Sequence, residues 1–431
     1  QVLNMNSFMN CNCRPDGIGA VNVGRHSVIQ AVRAGRRLRQ SGSSLLVAAL
    51  FLAPAQAQEV RMQLDLRSGE SVSATGLSGS LEAGFVAQVA RGSQRIAAQD
   101  LLAVRIGGAV APQLLKVEIV GGDLIHGAIA GGDEAGERLE FLSPVLGQIA
   151  VSIDRMVALE QPGVDARDQP MPEGVDEALY LRTRSGFDLI AGFLHAFGSK
   201  GILFQPDAAD GPQWYSPTQF SSLRLRGGED REKLAPMTLL TRTADRLGVT
   251  LLTCGEQGLD VVVDSGATVH IGWADVACLT FERGVTHLSA MTPAQVVETG
   301  FEGEVVYSWQ KDRSVIGGEL MAQGLAFGRG IGMHSKSRLS FVVPAGATHF
   351  YTRVAFDDSV AELPVKAHAE VRVLVGNKVL FEDKELQQSQ TTQNAGLHAV
   401  KVGDTITLEA DFGRGRDLGD RVNWLLPMFL M

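Results

Sequence analysis

From Glu59 to about Arg283 the chain repeats one pattern of apolar and polar positions. An alternating strand is followed by a turn with glycine, a second strand, a polar stretch and a closing strand rich in Leu and Val. The first copy opens Val60-Arg61-Met62-Gln63-Leu64-Asp65-Leu66, passes Gly76 and closes Leu101-Leu102-Ala103-Val104-Arg105-Ile106. The second runs from Leu115-Lys116-Val117-Glu118-Ile119-Val120 through Gly121-Gly122-Asp123 and Gly127 to Ile153-Asp154-Arg155-Met156-Val157-Ala158-Leu159. In the third, Ala178-Leu179-Tyr180-Leu181-Arg182-Thr183 precedes Asp188-Leu189-Ile190-Ala191-Gly192, and Phe220-Ser221-Ser222-Leu223-Arg224-Leu225 closes. The fourth has Leu239-Leu240-Thr241-Arg242-Thr243, Gly248 and the closing Ala274-Asp275-Val276-Ala277-Cys278-Leu279. The glycines recur about every 50–65 residues, a spacing at which tandem repeats are expected. No segment shows a long 3.6-residue apolar period, so the chain is read as all-β, with units at 58–110, 111–162, 175–228 and 235–286.

Each unit has room for about five short strands, and a strongly bent sheet of that size removes its exposed edges by closing as a small barrel. The strand-Gly-strand rhythm resembles that of Sm-like and SH3-like barrels; the alternative is that two units merge their strands into a larger sandwich. His126 and His195 stand beside turn glycines as lone histidines, and Trp214-Tyr215 falls in the polar insert of the third unit. Nucleophile-elbow, zinc-protease, phosphate-loop and Cys/His metal spacings are missing from the sequence, so the repeats are read as non-catalytic scaffold.

Ahead of the repeats, Arg33, Arg36, Arg37 and Arg39 precede the apolar run Leu45–Ala53 and then Ala55-Gln56-Ala57. A basic region, a short apolar core and an A-x-A end predict a secretory signal peptide cleaved after Ala57, with residues before about Ser27 read as lying ahead of the true start. The expected location is secreted or periplasmic, with no transmembrane anchor. Setting aside residues 1–57, with six Arg and one Asp, moves the formal net charge from −9 to −14, which argues against nucleic acid as a partner. Cys254 and Cys278 remain, either as a disulfide suited to an oxidising compartment or as two buried thiols.

Past a Pro-containing stretch read as a linker, 287–300, the pattern changes. Trp309 and Asp312 are followed by Gly330-Ile331-Gly332-Met333-His334, Phe356-Asp357-Asp358 and Asp420-Arg421-Val422-Asn423-Trp424, set among short strand-type runs. On these motifs residues 301–431 resemble the NPCBM family, named for a carbohydrate-binding module, with its W-x-x-D, G-[IL]-G-x-H and D-x-x-[DN]-W segments. The resemblance implies a galactose-binding-like jelly-roll β-sandwich and a carbohydrate ligand. Asn423 stands where the family often has an acid, and Gly376-Asn377 where it often has D-G.

Sugar recognition asks for hydrogen-bonding side chains matched to hydroxyls, with an aromatic face for the apolar side of the ring. The resemblance places His334, Arg338, Asp357, Asp358, Asn423 and Trp424 among the family's motif positions, and these are the expected ligand-binding residues. Other readings stay open: Trp309 and Trp424 as core closure, His334 as a partner for buried backbone, Asp357-Asp358 as a turn or a seat for structural calcium. No cofactor is expected. The expected protein is an exported, non-catalytic binder of carbohydrate or cell-surface glycan. The alternative is an envelope scaffold that contacts proteins.

Overall fold

The repeats share one strand order, five strands in the second to fourth and six in the first, where the second strand is broken in two, and the glycine in or beside the second strand marks where it changes partners. In the first, Met62–Leu66 pairs with Ser71–Ala74 on one edge and with the closing strand Leu101–Ile106 on the other. The chain then bends, and Gly76–Ser80 pairs with Gly84–Val89, which pairs with Gly92–Ile96. In the second repeat Gly127 is the last residue opposite the first strand, and Ala128 the first opposite the third. In the third the exchange falls between Ala191 and Gly192, and in the fourth at Val249, next to Gly248. A Cβ on Gly127 or Gly192 would stand 2.3 or 2.1 Å from the carbonyl oxygen of Leu142 or Gln205, so the bend needs bare backbone. The structure is a computed structural model describing residues 61–133, 135–164, 169–226, 235–301 and 305–431. The expected signal peptide and its cleavage site lie outside these residues.

The units have the barrel-like strand order but do not close one by one. Each closing strand uses its second edge to pair with another: Leu101–Ile106 with Val276–Phe281, and Met156–Glu160 with Phe220–Leu225. First and fourth repeats are thereby joined, as are second and third, within one 21-stranded network around one core. Every residue of Leu101–Ile106, Phe220–Leu225 and Val276–Phe281 is buried, which is why the first and third of these strands read as near-continuous apolar runs without alternation.

Cys254 and Cys278 are free, buried thiols on strands that flank Met237–Thr241 from opposite edges, so the possible disulfide is not formed. Burial pushes the Cys254 thiol up to about 12.

The C-terminal module is a two-layer antiparallel sandwich. One sheet orders Gln310–Lys311, Gly330–Met333, Val422–Leu430, His349–Phe356 and Gln393–Ala399. The other orders Gln295–Glu298, Ser337–Val342, Thr405–Phe412, His368–Val375 and Lys378–Gln387. Residues 287–300, read from sequence as a linker, lie within the sandwich: Val285–His287 pairs with Val422–Leu430, and Gln295–Glu298 pairs with Ser337–Val342.

Val422–Leu430 is buried at all nine positions because both its faces are covered. Val422, Trp424 and Phe429 face the sandwich core, while Leu425, Leu426, Met428 and Leu430 pack with Leu102 and Ala103 of the first repeat and with Phe327. At roughly 1.5–3 kcal/mol for each large side chain taken from water, that contact alone holds module and repeats together.

Charge fixes its register. Asp65, fully buried in the first repeat, accepts from Arg105 Nε at 2.6 Å and Nη2 at 2.9 Å, while Arg353 of the module approaches to 3.4 Å and donates to Ser71 Oγ at 2.7 Å. Arg105 also lies 4.3 Å above the Phe327 ring. A second network ties Arg329 to Glu282 and Asp312, each at 2.8 Å, and Arg246 to Glu319 at 2.9 Å. Burial alone would raise Glu282, yet His287 and Arg329 hold its carboxyl at about 2. Asp65→Ala leaves two buried guanidinium groups without their carboxylate and should lower unfolding free energy in urea by about 3–5 kcal/mol. A loss below about 1 kcal/mol, the level of a surface pair, would show that the register does not depend on it.

Candidate functional site

The site grows from the alternate glycines of Gly330-Ile331-Gly332. A Cβ on Gly332 would stand 2.4 Å from both Arg313 O and Val315 N, so only glycine lets the 312–319 loop cross this strand. Asp312 pins the loop from the other side, accepting from the Gly330 amide at 2.9 Å and from Arg329. The loop thus presents Ile316, 43% exposed, at the rim of the sandwich.

Just past this strand the His334 ring turns into a cleft of about 170 Å³, bordered by Tyr307, Ile316, Leu363, Asp417, Leu418, Gly419 and Arg421. Tyr307 is half exposed, its ring centroid 4.8 Å from that of His334 with the planes 36° apart. Burial pushes the His334 imidazole below its ordinary value, against the pull of its bond to Ser335 O, so the ring is neutral at pH 7. The 2.8 Å contact between Nδ1 and Ser335 O requires the proton on Nδ1. Nε2 is then an acceptor. One cleft therefore offers an aromatic face, a neutral acceptor, a guanidinium and a carboxylate, the set that a hydroxylated ring calls for.

Of the six residues expected from the motifs, only His334 lines this cleft. Trp424 is wholly buried in the sandwich core, and Trp309 packs partly buried against the same core. Asn423 is also fully buried; its amide donates to Asp357 Oδ2 at 2.7 Å and Met321 O at 3.3 Å. Asp357 caps the short turn Asp358–Glu362 by accepting from the Ser359 amide, and Asp358 accepts from the amides of Gln323 and Gly324 at 2.7 Å each. The aspartate pair thus orders a turn and holds the hairpin Leu320–Ala322 and Leu325–Phe327. Arg338 projects from the other sheet toward Glu409 at 3.9 Å, away from the cleft. The other five expected residues are therefore not brought together with His334 at this cleft: four take part in the core, the turn and the hairpin, and the fifth lies on another surface.

Tyr307, Asp417 and Arg421 were not singled out from the sequence. Arg421 sits inside the D-x-x-N-W motif and Asp417 in the glycine-rich loop Gly413–Gly419, so their nearness to motif positions was the available signal.

Residues 284–430 match the NPCBM/NEW2 domain family. The match begins next to the strand Val285–His287 and so takes in the 287–300 stretch. Among solved structures, the NPCBM/NEW2-bearing chain is similar to a CBM51 module of a Clostridium perfringens GH95 protein in complex with methyl-galactose, at 19% identity over 34% of this chain and 99% of that one, TM-score 0.29. It is also similar to the CBM51-2 and INT domains of Clostridium perfringens ZmpB, at 22% identity over 41% and 38%, TM-score 0.30. A third is the tandem CBM51 region of a family 98 glycoside hydrolase from Streptococcus pneumoniae, at 12% over 78% and 85%, TM-score 0.30. No curated protein matches the chain.

Under the cleft, Asp420 is fully buried and accepts from Ser335 Oγ. Burial lifts its carboxyl from 3.8 to about 7, opposed by the bonds from Ser335 and the His368 amide and reinforced by Asp417. Its folded value exceeds the unfolded one, so its cost to stability is absent below pH 3.8 and grows as pH rises toward about 7. The thermal midpoint should therefore fall between pH 5 and pH 8 more steeply in the wild type than in Asp420→Asn. Equal slopes would refute this assignment, and comparison with the variant cancels other groups such as Asp123, which burial raises to about 6.

Proposed function

We propose that the protein is an exported, non-catalytic binder of carbohydrate, with the rim cleft of the NPCBM/NEW2 domain as its sugar site. The observation that carries the reading is the packing of half-exposed Tyr307 against neutral His334 at the wall of a cleft that also holds Arg421 and Asp417. Tyr307 would lie against the apolar face of a pyranose, His334 Nε2 would accept a hydroxyl hydrogen, and Arg421 and Asp417 would donate and accept at neighbouring hydroxyls. The family description supports a glycan ligand, the basic-apolar-A-x-A leader supports export, and the repeats hold the module in place. Among the described residues no helix is long and apolar enough to cross a membrane.

One observation favours a protein contact elsewhere. Phe187, Leu189 and Phe193 are exposed along Phe187–Gly198, and Trp214 on the same repeat is 39% exposed. A scaffold that contacts proteins through the third repeat would use that face.

The two readings separate on a glycan array probed with the full chain. Saturable binding to a glycan, weakened about tenfold or more by His334→Ala and by Tyr307→Ala, is the expected result. No binding to any glycan would overturn the sugar reading in favour of the scaffold. Protonation would turn Nε2 from acceptor to donor. Because the folded imidazole lies below the ordinary value of about 6.5, affinity should hold from pH 8 down through that value and fall only at lower pH. Affinity that already falls between pH 8 and 6.5 would contradict this role for His334.

A further inference from the structure

A second cavity of about 290 Å³ lies between the repeats and the module, with walls that include Lys116, His126 and Glu160 of the second repeat, Gln161 just beyond it, and Arg313 and Glu319 of the module. Ile316 lines this cavity as well as the rim cleft. The two hollows therefore adjoin across one exposed side chain, on the loop that Gly332 lets cross the sandwich. The rim cleft alone falls below the range of about 300–1,000 Å³ usual for small-ligand sites, while the two together lie within it.

We infer that the two hollows form one extended groove, and that its ligand is a neutral oligosaccharide of several units running from Tyr307 across Ile316 to the second repeat. This rests on the sugar reading of the rim cleft and adds the size and charge class of the ligand. Length follows from the adjacency of the cavities.

Neutrality follows from the lining. Glu160 is already paired with Lys116 and with Arg224 at 2.6 Å, Glu319 with Arg246 at 2.9 Å, and the rim holds one carboxylate, Asp417, and one guanidinium, Arg421. In the larger cavity two cations, Lys116 and Arg313, balance two carboxylates, Glu160 and Glu319. Among the side chains that line the two hollows the charges balance, with no excess to select a uronic or sialic acid. His126 is buried there, with its Nδ1 3.4 Å from Asp245 Oδ1.

The test uses the full chain and a ladder of one to six sugar units built from the strongest neutral ligand on the array, titrated calorimetrically at low and high salt. Affinity should rise about tenfold or more between one unit and three or more, with little dependence on salt. Gln161→Ala and Arg313→Ala, each required to keep the wild-type thermal midpoint, should remove that gain and leave the single-unit affinity unchanged. His334→Ala should weaken every rung. A single sugar that binds with no gain from length, or a gain that survives both variants, would overturn the extended groove and leave the rim site standing. An array on which only acidic glycans bind would refute the neutral ligand. Failure of every glycan would instead overturn the sugar reading itself.

Discussion

A carboxylate buried without charge neutralisation is among the most costly features a fold can carry, and Asp65 is held by two arginines from opposite sides of the molecule. Arg105 comes from its own repeat, and Arg353 comes from His349–Phe356 of the sandwich. The pair of arginines is satisfied only when the sandwich sits on the closing strands of the first and fourth repeats. In that position Leu425, Leu426, Met428 and Leu430 also find cover. Apolar burial drives the association, and the buried charges make one register far better than its neighbours.

The consequence for the cleft is direct. Its wall is the 312–319 loop, which the repeats hold through Arg246, whose guanidinium meets Glu319 and the Asp312 carbonyl, while Arg329 bridges Asp312 and Glu282. Sugar sites work when their donors and acceptors are in place beforehand, because ordering a loop on binding costs affinity. The repeats thus act on the site by holding the loop that carries Ile316, and in this arrangement the scaffold and the binding module are parts of one device.

Much of this architecture was legible in the chain. Alternation and recurring glycines marked the four repeats, since period two and a bend that needs bare backbone are both local properties. Fusion of closing strands was left open because pairing between Leu159 and Leu223, or Val104 and Leu279, joins residues far apart in sequence. A trace of it was nonetheless present in the lack of alternation along Leu101–Ile106 and Val422–Leu430, which marks strands covered on both faces. The motifs pointed to a C-terminal module, and most of their residues lie away from the rim cleft for a physical reason: Asn423, Asp357, Asp358 and Trp424 tie the hairpin, turn and core together. Tyr307 and Asp417 meet His334 only after the sandwich has closed, so spacing along the chain holds little sign of them.

The most direct test of the account is a crystal structure of the full chain soaked with the glycan that binds it most tightly. The account predicts one sugar ring against Tyr307, with a hydroxyl on His334 Nε2 and others within reach of Arg421 and Asp417. A glycan bound on another surface, such as the outer sheet around Arg338, with the rim cleft holding only solvent, would contradict it.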